Sequence, residues 1–195
     1  MRMRSEKRTK KIFSALSKRQ PDLTIVIENI HDPHNVSAML RSADAVGIHE
    51  VQLVYTKEKF PKIGKKSSLS ANKWVERRKF DSIRSCYDSL RLEGFTIYAT
   101  RLDGAARDLY SIDLTAKTAL VFGNEHAGVS EEAASLADAT IMIPMMGMIQ
   151  SLNVSVACAV TLYEALRQRL GDEKYGRSKF SKENFDRLYA EWLEK

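Results

Sequence analysis

Three stretches of this 195-residue chain gather amide, hydroxyl, carboxylate and guanidinium side chains beside glycines. The first, residues 28–47, reads ENIHDPHNVSAMLRSADAVG, with Asn35 at or just before a helical pattern and Arg41 about two turns into it. The second, residues 120–130, is LVFGNEHAGVS, an apolar run emptying into a turn where Gly123 and Gly128 flank Asn124, Glu125 and His126. The third, residues 141–160, is IMIPMMGMIQSLNVSVACAV, in which Gln150, Ser151 and Asn153 lie between apolar neighbours. Open α/β sheets bind ligands outside the ends of their strands, and all three stretches follow or adjoin strand-like runs. The glycines admit a ligand close to the backbone, and Glu125 is suited to anchor a cation or a hydroxyl. The polar groups of the third stretch, partly buried by their apolar neighbours, need hydrogen-bond partners.

Each of these residues also has a plainer reading. Asn35 can cap its helix and Arg41 can be a solvated helix residue. Glu125 can sit solvated on an ordinary loop, Ser151 can cap the helix that follows it, and Asn153 can satisfy a neighbouring loop. The methionines can fill core. His31, Asp32 and His34 are too few for a metal, since no third and fourth ligand stands at a recognisable spacing, and no metal is expected. The glycines at 123 and 128 do not make a phosphate loop, because no Lys and Ser or Thr follow them.

The elements that must position these groups alternate short β-branched runs with helical patterns, which argues for a mostly parallel sheet covered by helices. Strands are expected at Leu23–Glu28, Glu50–Tyr55, Phe95–Thr100, Ala119–Phe122 and Thr140–Ile143. Helices are expected at Val36–Ala45, within Asp81–Gly94, at Ser130–Ala137 with Ser130 as cap, and from about Leu152 to Leu170. Residues 56–73 are rich in lysine, serine and turn formers and read as a polar loop. The tail 172–195 spaces Phe180, Phe185, Leu188, Tyr189, Trp192 and Leu193 as an amphipathic helix that docks on the body or on a second copy.

Lysine and arginine number 31 against 25 acidic residues, a formal charge of +6 that favours an acidic partner such as nucleic acid. The start concentrates this charge: Arg2, Arg4, Lys7, Arg8, Lys10, Lys11, Lys18 and Arg19 face only Glu6. It lacks the apolar centre of a secretory signal, and no run of about 18 apolar residues could span a bilayer, so a cytoplasmic protein is expected. Cys86 and Cys158 form no close motif and are read as reduced, Cys158 as a small core residue.

In this order and at these separations, N-x-x-x-x-x-R, GNE-x-x-G and IPM-x-G-x-x-QSLNVSVA resemble the three motifs of the SpoU-type branch of the SPOUT RNA methyltransferases. The likeness covers roughly residues 21–170 and is strongest to the TrmH-type members, which methylate the 2′-hydroxyl of guanosine 18 in transfer RNA. The resemblance implies a parallel α/β sheet with flanking helices and a C-terminal deep trefoil knot that forms a pocket for S-adenosyl-L-methionine. It also implies a homodimer with the active site near the subunit interface. Carried over residue by residue, Asn35, Arg41, Glu125, Ser151 and Asn153 are catalytic, and Thr100, Leu102, Gly123, Ile143, Met148 and Leu152 line the cofactor pocket.

Domain organisation then reads as a basic N-terminal arm at 1–20, the methyltransferase domain at 21–170 and a helical extension at 171–195. Guanidinium keeps its proton, so Arg41 is better suited to stabilise a developing oxyanion than to act as a base. The rivals are a ribosomal RNA 2′-O-methyltransferase of the same fold and a knotted RNA-binding protein without catalysis. The intact set of Arg41, Asn35 and Asn153 argues against the latter. If the arm grips RNA phosphates, neutralising Lys7, Arg8, Lys10 and Lys11 will weaken RNA binding and flatten its log–log salt dependence. Cofactor affinity will stay unchanged.

Overall fold

The structure, a computed structural model, describes residues 6–57, 59–61 and 73–195. Most of the polar loop expected at 56–73, together with Arg2 and Arg4, lies outside them. Among the described residues seven strands make one sheet, β1 (Leu23–Glu28), β2 (Glu50–Val54), β3 (Glu76–Phe80), β4 (Thr96–Thr100), β5 (Arg107–Asp108), β6 (Thr118–Phe122) and β7 (Ala139–Met142). Every pairing is parallel, and the order across the sheet is β3-β2-β1-β6-β4-β7-β5.

The central strands are apolar on both faces because both are covered. Leu23, Ile25 and Ile27 of β1, with Leu120 and Phe122 of β6, enter a core shared with α2 (Pro33–Ala45) and α5 (Val154–Gly171). The alternate residues Val26, Ala119 and Val121 enter a second core with α3 (Ile83–Leu92) and α4 (Glu131–Leu136). Cys158 is fully buried in the first core, as its apolar helix suggested. Ser130 caps α4 as expected, accepting from the Ala133 amide at 3.1 Å.

β3, ERRKF, has no apolar run to mark it, and its register with β2 makes it a strand. Four charged residues and one aromatic at a half-exposed sheet edge carry no signal of period two.

From Glu6 onward the basic N-terminal segment is helical and packed. Helix α1 (Glu6–Ser17) buries Ile12 and Leu16 against Leu188 and Trp192 of α6 (Lys182–Glu194), with Trp74 and Phe180 beside them. The tail thus docks on the body of its own chain. Arg19 is buried, ion-paired with Asp44, bonded to the Ile48 carbonyl at 2.7 Å and laid over the Trp192 ring, so it is not a surface cation. A second buried cation, Arg169, is fully enclosed and donates to Asp22, to Gln20 and to the carbonyls of Leu114, Ala116 and Asp22. Asp22 also receives Lys179 at 2.6 Å. Burial pushes the Asp22 carboxyl up, but Lys179 and Arg169 outweigh it and hold it below its usual value. The segments before β1 and after α5 are thereby tied together beside the starts of β1, β2 and β3.

His49 sits in this region with its ring edge-on to Phe180 and its Nδ1 buried without a hydrogen bond. Burial, and then the Arg19 charge, push its pKa down to about 4. The unfolded chain takes up that proton near pH 6.5, so between pH 6.5 and 4 acid favours unfolding by about 1.4 kcal/mol per pH unit through this group. Above pH 6.5 its contribution is flat. His49→Phe keeps the ring contact and removes the titration. Urea midpoints at pH 7 and pH 5 are therefore expected to fall less for the variant than for the wild type.

Candidate active site

Strands β1 and β6 are neighbours running the same way, so the loops leaving their C-terminal ends meet. The sheet order changes direction there, with β2 and β3 on one side of β1 and the β6-β4-β7 group on the other. This is the position where an open parallel sheet leaves a crevice.

The β1 loop enters α2 through Asp32, whose carboxylate accepts from the His34 amide at 2.8 Å. Asp32, not Asn35, is the cap. Asn35 is one turn inside, buried, with its amide free to work elsewhere. It donates to Glu125 at 2.9 Å, and its own oxygen accepts from Asn153 at 3.1 Å. Glu125 further accepts from the backbone amides of Asp32 at 3.1 Å and His31 at 3.2 Å. One chain of hydrogen bonds therefore runs through all three polar stretches, from the second through the first to the third. Burial pushes the Glu125 carboxyl up, but hydrogen bonds from Asn35, its own backbone, His31 and Asp32 outweigh it and hold it below its usual value. Glu125 is thus an anion engaged by donors at neutral pH.

Asn153 is the cap of α5, its oxygen accepting from the amides of Ser155 and Val156. Ser151, the residue that sequence suggested for capping, lines the cleft instead. Gln150, Ser151 and Asn153 are exposed rather than partly buried. Their apolar neighbours are exposed too: Met146, Met148, Ile149 and Leu152 lie on the surface, so the methionine-rich segment is not core filler.

The cleft has a volume of about 490 Å³ and is walled by Leu109, Phe122, Ile141, Ile143 and Leu152, with the backbone of 123–129 along one side. Of the residues expected to hold a cofactor, Thr100, Leu102, Gly123, Ile143 and Leu152 line it. Met148 does not, being 99% exposed. Glu125, Ser151 and Asn153 line it as well, whereas Asn35 touches it only through Glu125 and Asn153. Arg41 lies outside the lining, on the exposed stripe of α2 shared with His34 and Ala45.

Gly123 is needed for a reason other than ligand approach. A Cβ there would meet the Gly128 carbonyl oxygen at 2.1 Å, because the loop closes on itself through the pairing of Asn124 with Gly128. Asn124 finishes this turn, accepting from the amides of His126 and Ala127 and donating to the Asn29 carbonyl. Two charged residues at the mouth, Arg101 and Glu131, escaped sequence reading because each stands just past a motif or a strand end. Glu28, at the end of β1, also acts here, accepting from the Ser130 amide at 3.0 Å.

A profile of the family described as SpoU rRNA Methylase matches residues 22–163. The chain belongs to this family. As a SpoU methylase, it is 48% identical over 195 residues to the tRNA (guanosine(18)-2′-O)-methyltransferase of Thermus thermophilus, with all of both chains covered. The crystal structure of the Aquifex aeolicus TrmH/SpoU tRNA modifying enzyme superposes with a TM-score of 0.90 at 40% identity, covering 96% of this chain and 95% of that one. The SpoU methyltransferase AviRb of Streptomyces viridochromogenes, solved in complex with the cofactor AdoMet, superposes at 0.67 with 28% identity, covering 79% of this SpoU methylase and 59% of AviRb.

The clash at position 123 makes the loop testable. Gly123→Ala must push residues 124–128 apart and carry Glu125 off its donors. A loss of about 1–3 kcal/mol in urea unfolding is expected, as for overpacking at a tight site. Cofactor binding by calorimetry should weaken with it.

Proposed function

We propose that this SpoU methylase transfers the methyl group of S-adenosyl-L-methionine to the ribose 2′-hydroxyl of guanosine 18 in transfer RNA. The observation that carries the reading is the hydrogen-bonded chain Glu125–Asn35–Asn153, which unites the three motifs at the edge of an apolar cleft. The relative from T. thermophilus, matched along its whole length, supports the choice of substrate.

The cleft suits the cofactor. Its volume falls within the range of about 300–1,000 Å³ usual for small-molecule sites. Leu109, Phe122, Ile141 and Ile143 offer apolar faces to an adenine ring, and main-chain groups of the loop after β6 can read its edges. The sulfonium supplies a methyl group that is already activated. The protein's part is alignment and charge. Glu125 fixes Asn35 and the entry to α2, Asn153 fixes the start of α5, and Ser151 faces the cleft between them. Arg41 stabilises the negative charge that develops on the ribose oxygen, while an RNA phosphate or another nearby group takes the proton.

Arg41 has no hydrogen bond or ion pair among the described residues, and a guanidinium so placed is available to a substrate. Val156, Tyr163 and Leu170 recur every seven residues on one exposed face of α5, and Met146, Met148 and Ile149, ahead of it in the chain, are exposed as well. An apolar row of this kind marks an interface. We read it as the face of a homodimer, which offers Arg41 a second cleft to serve. In the same reading the loops converging on the cleft form the trefoil knot. Residues 1–20 and 171–195 are extensions of the catalytic body at 21–170, and where α1 and α6 pack together they offer RNA one shared surface.

Incubating the purified protein with total RNA and methyl-labelled cofactor, then mapping the modified nucleotide, tests the reaction. Label at the 2′-oxygen of guanosine 18 is expected, and label confined to ribosomal RNA would overturn it. In single-turnover assays Arg41→Ala should lose about two orders of magnitude in rate at near-normal cofactor affinity. Arg41→Lys should recover part of that while its amine stays protonated.

A further inference from the structure

The cofactor has two unlike ends, an adenosine and an α-amino acid whose carboxylate and ammonium are both charged. Charged groups brought against protein need partners of opposite sign. Among the described residues lining the cleft, the charged side chains are Arg101, Glu125 and Glu131. Glu125 is fully committed to Asn35, His31 and Asp32.

The other two face each other across the mouth. Arg101 follows β4, and its main-chain amide is fixed by the Ile141 carbonyl at 3.0 Å. Glu131 opens α4, and its carboxylate meets Arg101 Nη2 at 2.5 Å. Asp103 holds the same guanidinium through Nε at 3.3 Å, and is itself pinned by the Ala105 amide and the Thr140 hydroxyl. Arg101 Nη1 has no hydrogen bond among the described residues, and the Glu131 side chain is 86% exposed. One guanidinium and one carboxylate, side by side at the open end of an apolar cleft, are the charge complement of an α-amino acid zwitterion.

We propose that Arg101 and Glu131 receive the amino-acid end of the cofactor, the guanidinium taking the carboxylate and Glu131 the ammonium, with Asp103 holding Arg101 in place. The assignment rests on the cofactor reading above. It makes these two residues determinants of which adenosine compounds the cleft retains. A ligand with the amino-acid end gains from the pair, and one without it does not.

The test compares two probes by calorimetry on the intact protein: S-adenosylhomocysteine, which has the amino-acid end, and 5′-methylthioadenosine, which lacks it. The wild type should prefer the first. In Arg101→Gln and in Glu131→Gln that preference should shrink by about tenfold, the worth of a charge-assisted contact, with 5′-methylthioadenosine bound as before. An unchanged preference in both variants would overturn the proposal. So would equal weakening of both probes, which would make the ion pair a strut of the cleft wall. A wild type that binds neither probe would instead sink the cofactor reading itself.

Discussion

The site depends on one carboxylate being held by the start of a helix that belongs to a different part of the chain. Glu125 stands on the loop after β6, and its donors are two backbone amides and a side chain at the entry to α2, after β1. Only the parallel pairing of β1 with β6, in a register that sets Ile27 opposite Phe122, brings those two loops together. Once they meet, the carboxylate satisfies amides that the helix would otherwise leave open, and a charged acceptor makes such bonds stronger than neutral ones. Asn35 then passes the constraint to Asn153, which both donates to it and caps α5. The position of the cleft wall thus follows from the position of one side chain.

A second set of polar bonds does a different job. Arg169 is a buried cation whose desolvation is offset by Asp22, Gln20 and three carbonyls. It joins the end of α5 to the segment ahead of β1 and to the loop ahead of β6. Gln20 adds a bond to the Lys174 carbonyl, and the Tyr175 hydroxyl reaches the Val46 carbonyl. Removing either partner of such a pair strands a charge, so the assembly is held by mutual need more than by the strength of any single bond.

Much of this was legible in the residues themselves. β1, β2 and β6 stand out as strand-like runs because both of their faces are covered, and Ser130 announces α4 by its position before two glutamates. The three polar stretches were visible as a set. What composition did not reveal is which of several competent polar residues takes which task. Asp32 rather than Asn35 caps α2, and Asn153 rather than Ser151 caps α5, because a cap is chosen by where the chain turns and several side chains nearby can do the chemistry. Arg19 looks like surface charge until Asp44 and Trp192 are seen around it. The exposed apolar face of α5 is hidden in sequence by a helix that is apolar nearly all round, half of it in the core and half outside.

The packing of α1 on α6 has a consequence for descent. Both chain ends fold as one small body beside the beginnings of β1–β3, while the cleft opens at the far ends of β6, β4 and β7. The two meet through a set of buried or half-buried links, Arg19 to Asp44 and the Ile48 carbonyl, Arg169 to Gln20, Lys179 to Asp22 and Tyr175 to the Val46 carbonyl. A lineage that keeps those links can lengthen, recharge or exchange its terminal helices without rebuilding the catalytic apparatus, so that recognition of new targets and preservation of old chemistry are selected separately.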